Sequence, residues 1–452
     1  MGHGKEQGKL HTRMEIKLYE PQQKAVEKLA RVLREGNIAG NWSKTGTGKT
    51  IMSLELARQL ELRPLVVAPL AAHATWRRWS GELNLPVLDV INCEKLRTGK
   101  SPWVKSEGKG KKATFHWTLD PEKDLVVWDE MHRGLSGKDT ITGKMAAMLR
   151  PQGIKTVLAS ATPFNSPLNA RALGYLFRLH NWTSGSFFSW CRAHGCKPSP
   201  FHMGLEFPVQ SKTAEKHLAR INNAIREKCV SLTPDDLGSY FPDGCLVEPY
   251  LVQLASMDEK EAKRIYAEMD EEIKRKDHTN PLIAMLRARQ RCELLKVPAM
   301  VDMMEDLLEE GYNIFVSVNF CDTVDVILKH LVDRGINKAV PLMGNMNAKQ
   351  REVSVGMFNA DMARILVASP AGGESISLHQ CEADMNPRTS LISPGYSASQ
   401  LVQSLGRIKR AGMISPVVQR IVLCANTIEE RVAKRLQAKA HAIETLVDSD
   451  LE

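Results

Sequence analysis

No apolar run in this chain reaches the ~18 residues that a membrane-spanning helix needs, so the sequence offers no transmembrane segment. Residues 1–13 are polar and basic and lack the apolar stretch of a secretion signal. They read as a flexible tail, residues 1–14, and the expected setting is cytoplasmic or nucleoid-associated, viral or bacterial, and not secreted. A disulfide framework is also missing: the nine cysteines are odd in number and scattered, which points to reduced thiols. Nor does any familiar zinc spacing occur. Cys191, His194, Cys196 and His202 lie close together, but Phe188 and Trp190 among them favour local packing over a tetrahedral site.

What is present is a soluble-protein composition, 43% hydrophobic and 25% charged over 452 residues. At roughly 150 residues per domain that length predicts two or three domains. The formal charge of +9 favours an anionic partner. Lys105, Lys109, Lys111 and Lys112, interleaved with Gly108 and Gly110, read either as a loop that tracks a phosphate backbone or as a solvated loop.

The chain is organised around SKTGTGKT at residues 43–50. Thr45, Gly46, Thr47 and Gly48 suit a strand-to-helix turn whose backbone N–H groups face a polyphosphate; Lys49 supplies charge to the outer phosphates, and Thr50 offers a hydroxyl to Mg²⁺. Ser43 stands where the usual pattern begins with Gly. Upstream, Gln22 carries an amide that suits an adenine edge, although a solvated glutamine at a helix start is the ordinary reading. Downstream, DLVVW (124–128) reads as a strand ending in Asp129 and Glu130. At such a strand end Asp129 can hold a nucleotide's Mg²⁺, and Glu130 can orient or deprotonate a water.

Short apolar segments at 64–69, 87–91, 124–128 and 156–159 alternate with helical patterns, which predicts an α/β fold with a parallel sheet. From about 165 to 290 helical stretches dominate, including one at 258–291. Alternation then resumes, with strands expected at 313–318, 339–343, 364–368, 390–393 and 417–423. A helix at 398–405 delivers Gln403, Arg407 and Arg410, with the two arginines expected on one helical face. Their guanidiniums suit phosphate, or form a solvated basic patch. A long helix with an apolar stripe (Ile428, Val432, Leu436, Ile443, Val447) closes the chain, opened by Thr427 and Glu430 as a capping box.

The motifs LYEPQQKAV, SKTGTGKT, LVVAPLAAHATWRRW, VVWDEMH, ASATPFN, ILVASPAGGESISL, QSLGRIKRAG and NTIEERVAKRLQAK, in this order, resemble the superfamily-two helicases. Within them they are most similar to the Swi/Snf-related DNA-dependent ATPases, over nearly all of residues 15–448. LGYLFRLHNW and IREKCVSLTPDDLGSYFPD favour that branch. Against the branch pattern, Ser160-Ala161-Thr162-Pro163 replaces Thr-Gly-Thr-Pro, Ser375 and Ser377 replace Gly and Asn, and Met413 replaces Gln.

The resemblance implies two RecA-like parallel-sheet lobes in tandem: an ATP-binding lobe at 15–180, a mostly helical insertion and linker at 181–292, and a second lobe at 293–452. It implies ATP and Mg²⁺ as cofactors, with Gln22 reading adenine and Arg407 and Arg410 acting as arginine fingers. It further implies that Ser160 and Thr162 couple hydrolysis to DNA movement, and that Pro69, Ala371, Gly372 and Gly373 lie along a nucleic-acid strand. The expected function is an ATP-dependent translocase on duplex or branched DNA, monomeric, with RNA a lesser partner and no membrane. A strand-separating DNA or RNA helicase and a catalytically idle DNA-binding scaffold are the alternatives.

Overall fold

A computed structural model describes residues 18–429, except positions 99, 109–112, 136–139, 165, 200–203, 210, 212, 242–244, 255, 275–280, 374–375, 396, 426 and 428. The basic tail, the tip of the Gly/Lys loop and the closing amphipathic helix lie outside these residues.

Two six-stranded parallel sheets organise the chain. The strands of the first, in chain order, are β1 (Ile38–Asn41), β2 (Arg63–Val67), β3 (Asp89–Ile91), β6 (Asp124–Trp128), β7 (Lys155–Ala159) and β10 (Cys229–Val230), with β4 (Val104–Glu107) and β5 (Thr114–Trp117) forming a separate antiparallel hairpin and β8 (Lys197–Pro198) and β9 (Leu205–Glu206) another. The second sheet holds β11 (Leu246–Val252), β12 (Asn313–Ser317), β13 (Ala339–Leu342), β14 (Ile365–Ala368), β15 (Arg388–Ile392) and β16 (Val418–Cys424). Strand order is β10-β1-β7-β6-β2-β3 in the first and β11-β16-β15-β12-β14-β13 in the second. The fold is α/β, with two RecA-like lobes in tandem.

The central strands form as near-continuous apolar runs because both sheet faces are covered. Along β2, β6 and β7, successive residues alternate between two buried clusters: Leu65, Val67, Val126, Trp128 and Leu158 join one, while Val66, Leu125, Val127 and Val157 join the other. The second sheet repeats this, with Ile314, Val316, Ile365 and Val367 on one face and Phe315, Leu366 and Ala368 on the other.

Three expectations are corrected here. The stretch read as helical supplies an edge strand to each sheet, β10 and β11. The strand signal of β11 is weak because most of its residues are exposed, and Pro249 is tolerated there because β11 lies at an edge. The helical stretch at 258–291 is two helices, Ser256–Lys274 and Pro281–Leu295, joined by a small core of their own in which Ala262, Ile265 and Met269 meet Ala284, Ala288 and Cys292. Finally, Lys105 sits on β4 rather than in a loop. Its hairpin is held by Trp117, whose indole N–H donates to Met145 O at 3.0 Å. Among the described residues no helix is long and apolar enough to cross a membrane.

Candidate active site

The loops that follow β1, β7, β6 and β2 emerge side by side, since these four strands are adjacent in the sheet, and the carboxyl ends of parallel strands are where ligands bind. The first of these loops is the phosphate-loop sequence, leading into helix α2 (Lys49–Gln59) after helix α1 (Glu20–Glu35). Gly46 and Gly48 adopt left-handed φ values of 86° and 92°, which favour glycine. A Cβ on Gly48 would lie 2.5 Å from Gln22 Nε2. Ser43, the departure from the glycine pattern, is fully buried and its hydroxyl accepts the Leu232 N–H at 3.1 Å. The serine thereby ties the segment after β10 to the loop.

Lys49 Nζ donates to Ser43 O at 2.8 Å and to Lys44 O at 3.1 Å. Burial pushes it down to about 8, against the opposing pull of Glu130 and Asp129. Gln22 is buried; its amide donates to Thr47 O at 2.8 Å and accepts the Tyr19 N–H at 3.0 Å. Tyr19 in turn stacks on Tyr240 with ring centroids 3.6 Å apart.

Asp129 follows β6. Burial, and secondarily the charge of Glu130, push its carboxyl up to about 6. Its Oδ1 accepts the Glu130 N–H at 3.0 Å and its Oδ2 accepts the Trp76 indole N–H at 2.8 Å. Glu130 holds a left-handed φ of 46°, a conformation that costs a non-glycine residue energy and concentrates at functional sites. Beside it stands His132, whose Nδ1 lies 2.9 Å from Ser160 Oγ and 3.4 Å from Glu130 Oε2. Gln403 Nε2, from the second lobe, is 3.2 Å from both Glu130 Oε2 and His132 Nε2. An amide nitrogen only donates, so His132 Nε2 is the acceptor and its proton sits on Nδ1, facing Ser160.

The second lobe closes the site. Helix Ala398–Leu405 stops before the arginines, which corrects the expectation that they share a helical face. Thr45 of the first lobe occupies the space next to Gly406: a Cβ there would lie 2.3 Å from Thr45 Cγ2. In the turn beyond, Arg407 Nη1 and Arg410 Nη2 both donate to Ile376 O, at 3.4 and 2.7 Å. Ala411 N–H donates to Gly46 O at 3.1 Å, so the phosphate loop and the arginine turn touch directly. Burial, then the neighbouring Arg407, push Arg410 down to about 9.

Between the lobes lies a cavity of about 340 Å³ lined by Gln22, Lys49, Thr50, Trp76, Asp129, Glu130, Arg407 and Arg410, with Tyr19, Arg78, Trp79, Ser377 and His379. The residues fit a metal-bound nucleoside triphosphate. Three cations, Arg407 buried and Lys49 and Arg410 half-buried, converge on a wall holding two carboxylates, and the Arg410 Nε and Thr45 Oγ1 atoms are buried without hydrogen-bond partners among the described residues. A polyanion would satisfy both the charge and the orphaned donors.

The residues expected along a nucleic acid divide. Pro69 lines an adjoining cleft of about 520 Å³ that shares Asp129 and Glu130 with the first and adds Leu70, Asn92, Cys93 and, from the second lobe, Arg351. Ala371 packs against Gly344, and Gly372 is sterically required, since a Cβ there would meet Leu342 O at 1.9 Å. Gly373 lines a small polar hollow of the second lobe shared with Asn319, Gln403 and Arg407. Ser160 and Thr162 are 0% and 3% exposed, and their hydroxyls meet His132. They lie in the bond chain from His132 toward the lobe interface and not on a surface.

Sequence reasoning missed Trp76, His132 and His379. His132 stood in VVWDEMH and His379 one residue beyond the Ser-Leu of ISL, but only the tertiary structure puts Trp76 and His379 on the cavity wall and His132 beside Glu130. Near Cys191 the structure shows packing: His194 Nδ1 bonds Trp190 O at 2.9 Å, and the described residues contain no His/Cys/Asp/Glu group suited to a metal. His202 lies outside the described residues.

Residues 296–412 match the helicase conserved C-terminal domain. This match falls within the second lobe. Over 96% of its length this helicase-like chain is 28% identical to a protein of Acanthamoeba polyphaga mimivirus whose provisional name is ATP-dependent RNA helicase, covering 84% of that protein. It is 27% identical over 147 residues to the lymphoid-specific helicase of Homo sapiens and 29% identical over 117 residues to the ATP-dependent helicase YqhH of Bacillus subtilis, spanning 16% and 20% of those proteins. Together these matches support a superfamily-two helicase that uses ATP. Two departures from the branch pattern have a physical setting in the helicase fold. Met413 is buried in the second-lobe core, and Ser377 Oγ pairs with His379 Nδ1 at 2.9 Å on the cavity wall.

Proposed function

We propose that this protein is an ATP-driven translocase of the Swi/Snf-related type, moving along duplex or branched DNA. The observation that carries the ATPase part is the pairing of the phosphate loop with the arginine turn: Lys49, Arg407 and Arg410 line one cavity, and Gly46 O accepts from Ala411 N–H. In this reading Lys49 and the two arginines hold the phosphates and Tyr19 and Gln22 flank the base. Glu130 takes the proton of the attacking water. Mg²⁺ held by Thr50 and Asp129 would neutralise phosphate charge. Gln403, bonded to Glu130 and His132, registers the state of the catalytic carboxylate in the second lobe, and the His132–Ser160 bond carries it to the loop after β7. Repeated opening and closing of the lobes then shifts the grip at Pro69 and at Ala371 to Gly373 along the track.

DNA as the track rests on the branch-specific motifs and the net positive charge. The RNA-helicase name of the mimivirus relative favours a second reading, strand separation on RNA. One experiment tests both: ATP hydrolysis with duplex DNA, single-stranded DNA, forked DNA and RNA at one salt concentration, since such binding is strongly salt-dependent, together with displacement of a third strand from intact duplex. Stimulation by duplex DNA with third-strand displacement is the expected result. Stimulation by RNA alone, with unwinding, would replace it by the second reading.

A further inference from the structure

Trp76 sits on the helix His73–Glu82, directly after the single turn Leu70–Ala72 that begins at Pro69. Its side chain is 1% exposed and belongs to the first-lobe core beside Val66 and Val127. The indole nevertheless spends its single donor on a catalytic-site carboxylate, Asp129 Oδ2, at 2.8 Å. Glu130 N–H holds the other oxygen at 3.0 Å, and Asp129 N–H is itself bonded to Val67 O at 2.8 Å. Two donors from different elements therefore fix both oxygens, so the carboxylate plane cannot turn. The Trp76 bond also opposes the upward push of burial on the Asp129 carboxyl, because an N–H stabilises the ionised acceptor.

A tryptophan that only filled space would leave its N–H to any nearby carbonyl; this one aims it into the cavity lined by Lys49, Thr50 and Asp129. We propose that Trp76 is a positioning residue: its indole N–H holds Asp129 in the orientation that meets a divalent cation, and its helix links the Pro69 turn to that carboxylate. The inference rests on the reading of Asp129 as the cation-holding residue. It adds a route by which a strand gripped at Pro69 reaches the chemistry. That route is one rigid helix with an indole at the end of its first turn.

The test places phenylalanine at the position (Trp76→Phe) and, in a second variant, β-(3-benzothienyl)alanine, which keeps the two-ring shape and lacks the N–H. Mn²⁺ binding is followed by electron paramagnetic resonance with a non-hydrolysable ATP analogue, and analogue binding is measured separately in EDTA. Groups that orient a metal ligand typically contribute ten- to a hundredfold in affinity. Both variants should therefore bind Mn²⁺ about tenfold more weakly, with analogue affinity in EDTA unchanged and stimulation of hydrolysis by duplex DNA reduced. Unchanged Mn²⁺ affinity in the benzothienyl variant overturns the proposal, as does an equal loss of analogue binding in EDTA, which would mark a packing role. Should the unsubstituted protein bind no Mn²⁺ with the analogue, the nucleotide-site reading itself falls; binding there but no change in the variants sinks this inference alone.

Discussion

Gln403 donates to Glu130 across the lobe interface, with Nε2 3.2 Å from Oε2 although the two are 273 positions apart in the chain. The same amide nitrogen reaches His132 Nε2 at 3.2 Å, and His132 reaches Ser160 at 2.9 Å. The carboxylate expected to handle water is thus joined to both lobes.

Uncoupling should follow from cutting that chain of bonds while leaving the phosphate-binding groups in place. Ser160→Ala removes the nearest partner of His132 Nδ1 and leaves it only the longer approaches to Glu130 Oε2 at 3.4 Å and Thr162 Oγ1 at 3.5 Å, a loss of about 0.5–1.5 kcal/mol for the hydrogen bond. Hydrolysis should persist at a reduced rate while third-strand displacement per ATP consumed falls. If displacement and hydrolysis drop in equal proportion, Ser160 is not a coupling residue.

Turnover should depend on Arg410 far more than binding does. Arg410→Ala removes a buried guanidinium whose Nε lacks a partner, and an arginine finger is worth roughly 10³–10⁵ in rate in related phosphoryl transfers. Nucleotide affinity measured by equilibrium binding should change little, and phosphate release should fall by about that factor. The same comparison applies to Arg407→Ala.

Closure of the lobes depends on the bare backbone of Gly406. An alanine Cβ would stand 2.3 Å from Thr45 Cγ2, so Gly406→Ala should hold the lobes apart. Thermal unfolding should be almost unaffected while nucleic-acid-stimulated hydrolysis is lost; full activity in this variant would mean that hydrolysis does not need the observed contact.

Lobe stability, by contrast, should respond to Gly372→Ala. Here the obstruction is backbone, Leu342 O at 1.9 Å, which cannot rotate away. Overpacking of this kind costs about 1–3 kcal/mol, seen as a lower Tm or urea midpoint.

The pH dependence of nucleotide affinity should report His379. Burial, then the charges of Arg410, Arg388 and Arg78, push this imidazole down to about 4, so it is neutral at pH 7 and its Nδ1 meets Ser377 Oγ. A polyphosphate in the cavity offsets those cations and raises the imidazole toward its ordinary range, so binding takes up a proton. Affinity should therefore increase as pH falls from 7 toward 5.5, by at most about tenfold per unit for one linked proton. Titration calorimetry across that window checks it: the slope attributable to this group should vanish in His379→Gln, and an unchanged slope would assign the proton elsewhere.

Much of the architecture is written locally. The apolar runs at 64–67, 124–128, 313–317 and 365–368 are strands because a sheet covered on both faces buries every residue, and the spacing of Gly46, Gly48 and Lys49 specifies a strand-to-helix turn whatever surrounds it. The weakest local signals were the edge strands: β10 is only two residues long and most of β11 is exposed, so neither leaves much hydrophobic pattern to read.

Adjacency was decided only by the tertiary structure. Placing β6 between β7 and β2 sets Ser160 beside His132 and the helix of Trp76 beside Asp129, relationships with no fixed separation in sequence. Likewise, the arginines lie just past the end of their helix, where Thr45 takes the space at Gly406, a contact between residues of different lobes. Local chemistry named the groups that can hold phosphate; long-range packing chose which of them face one another across the cleft.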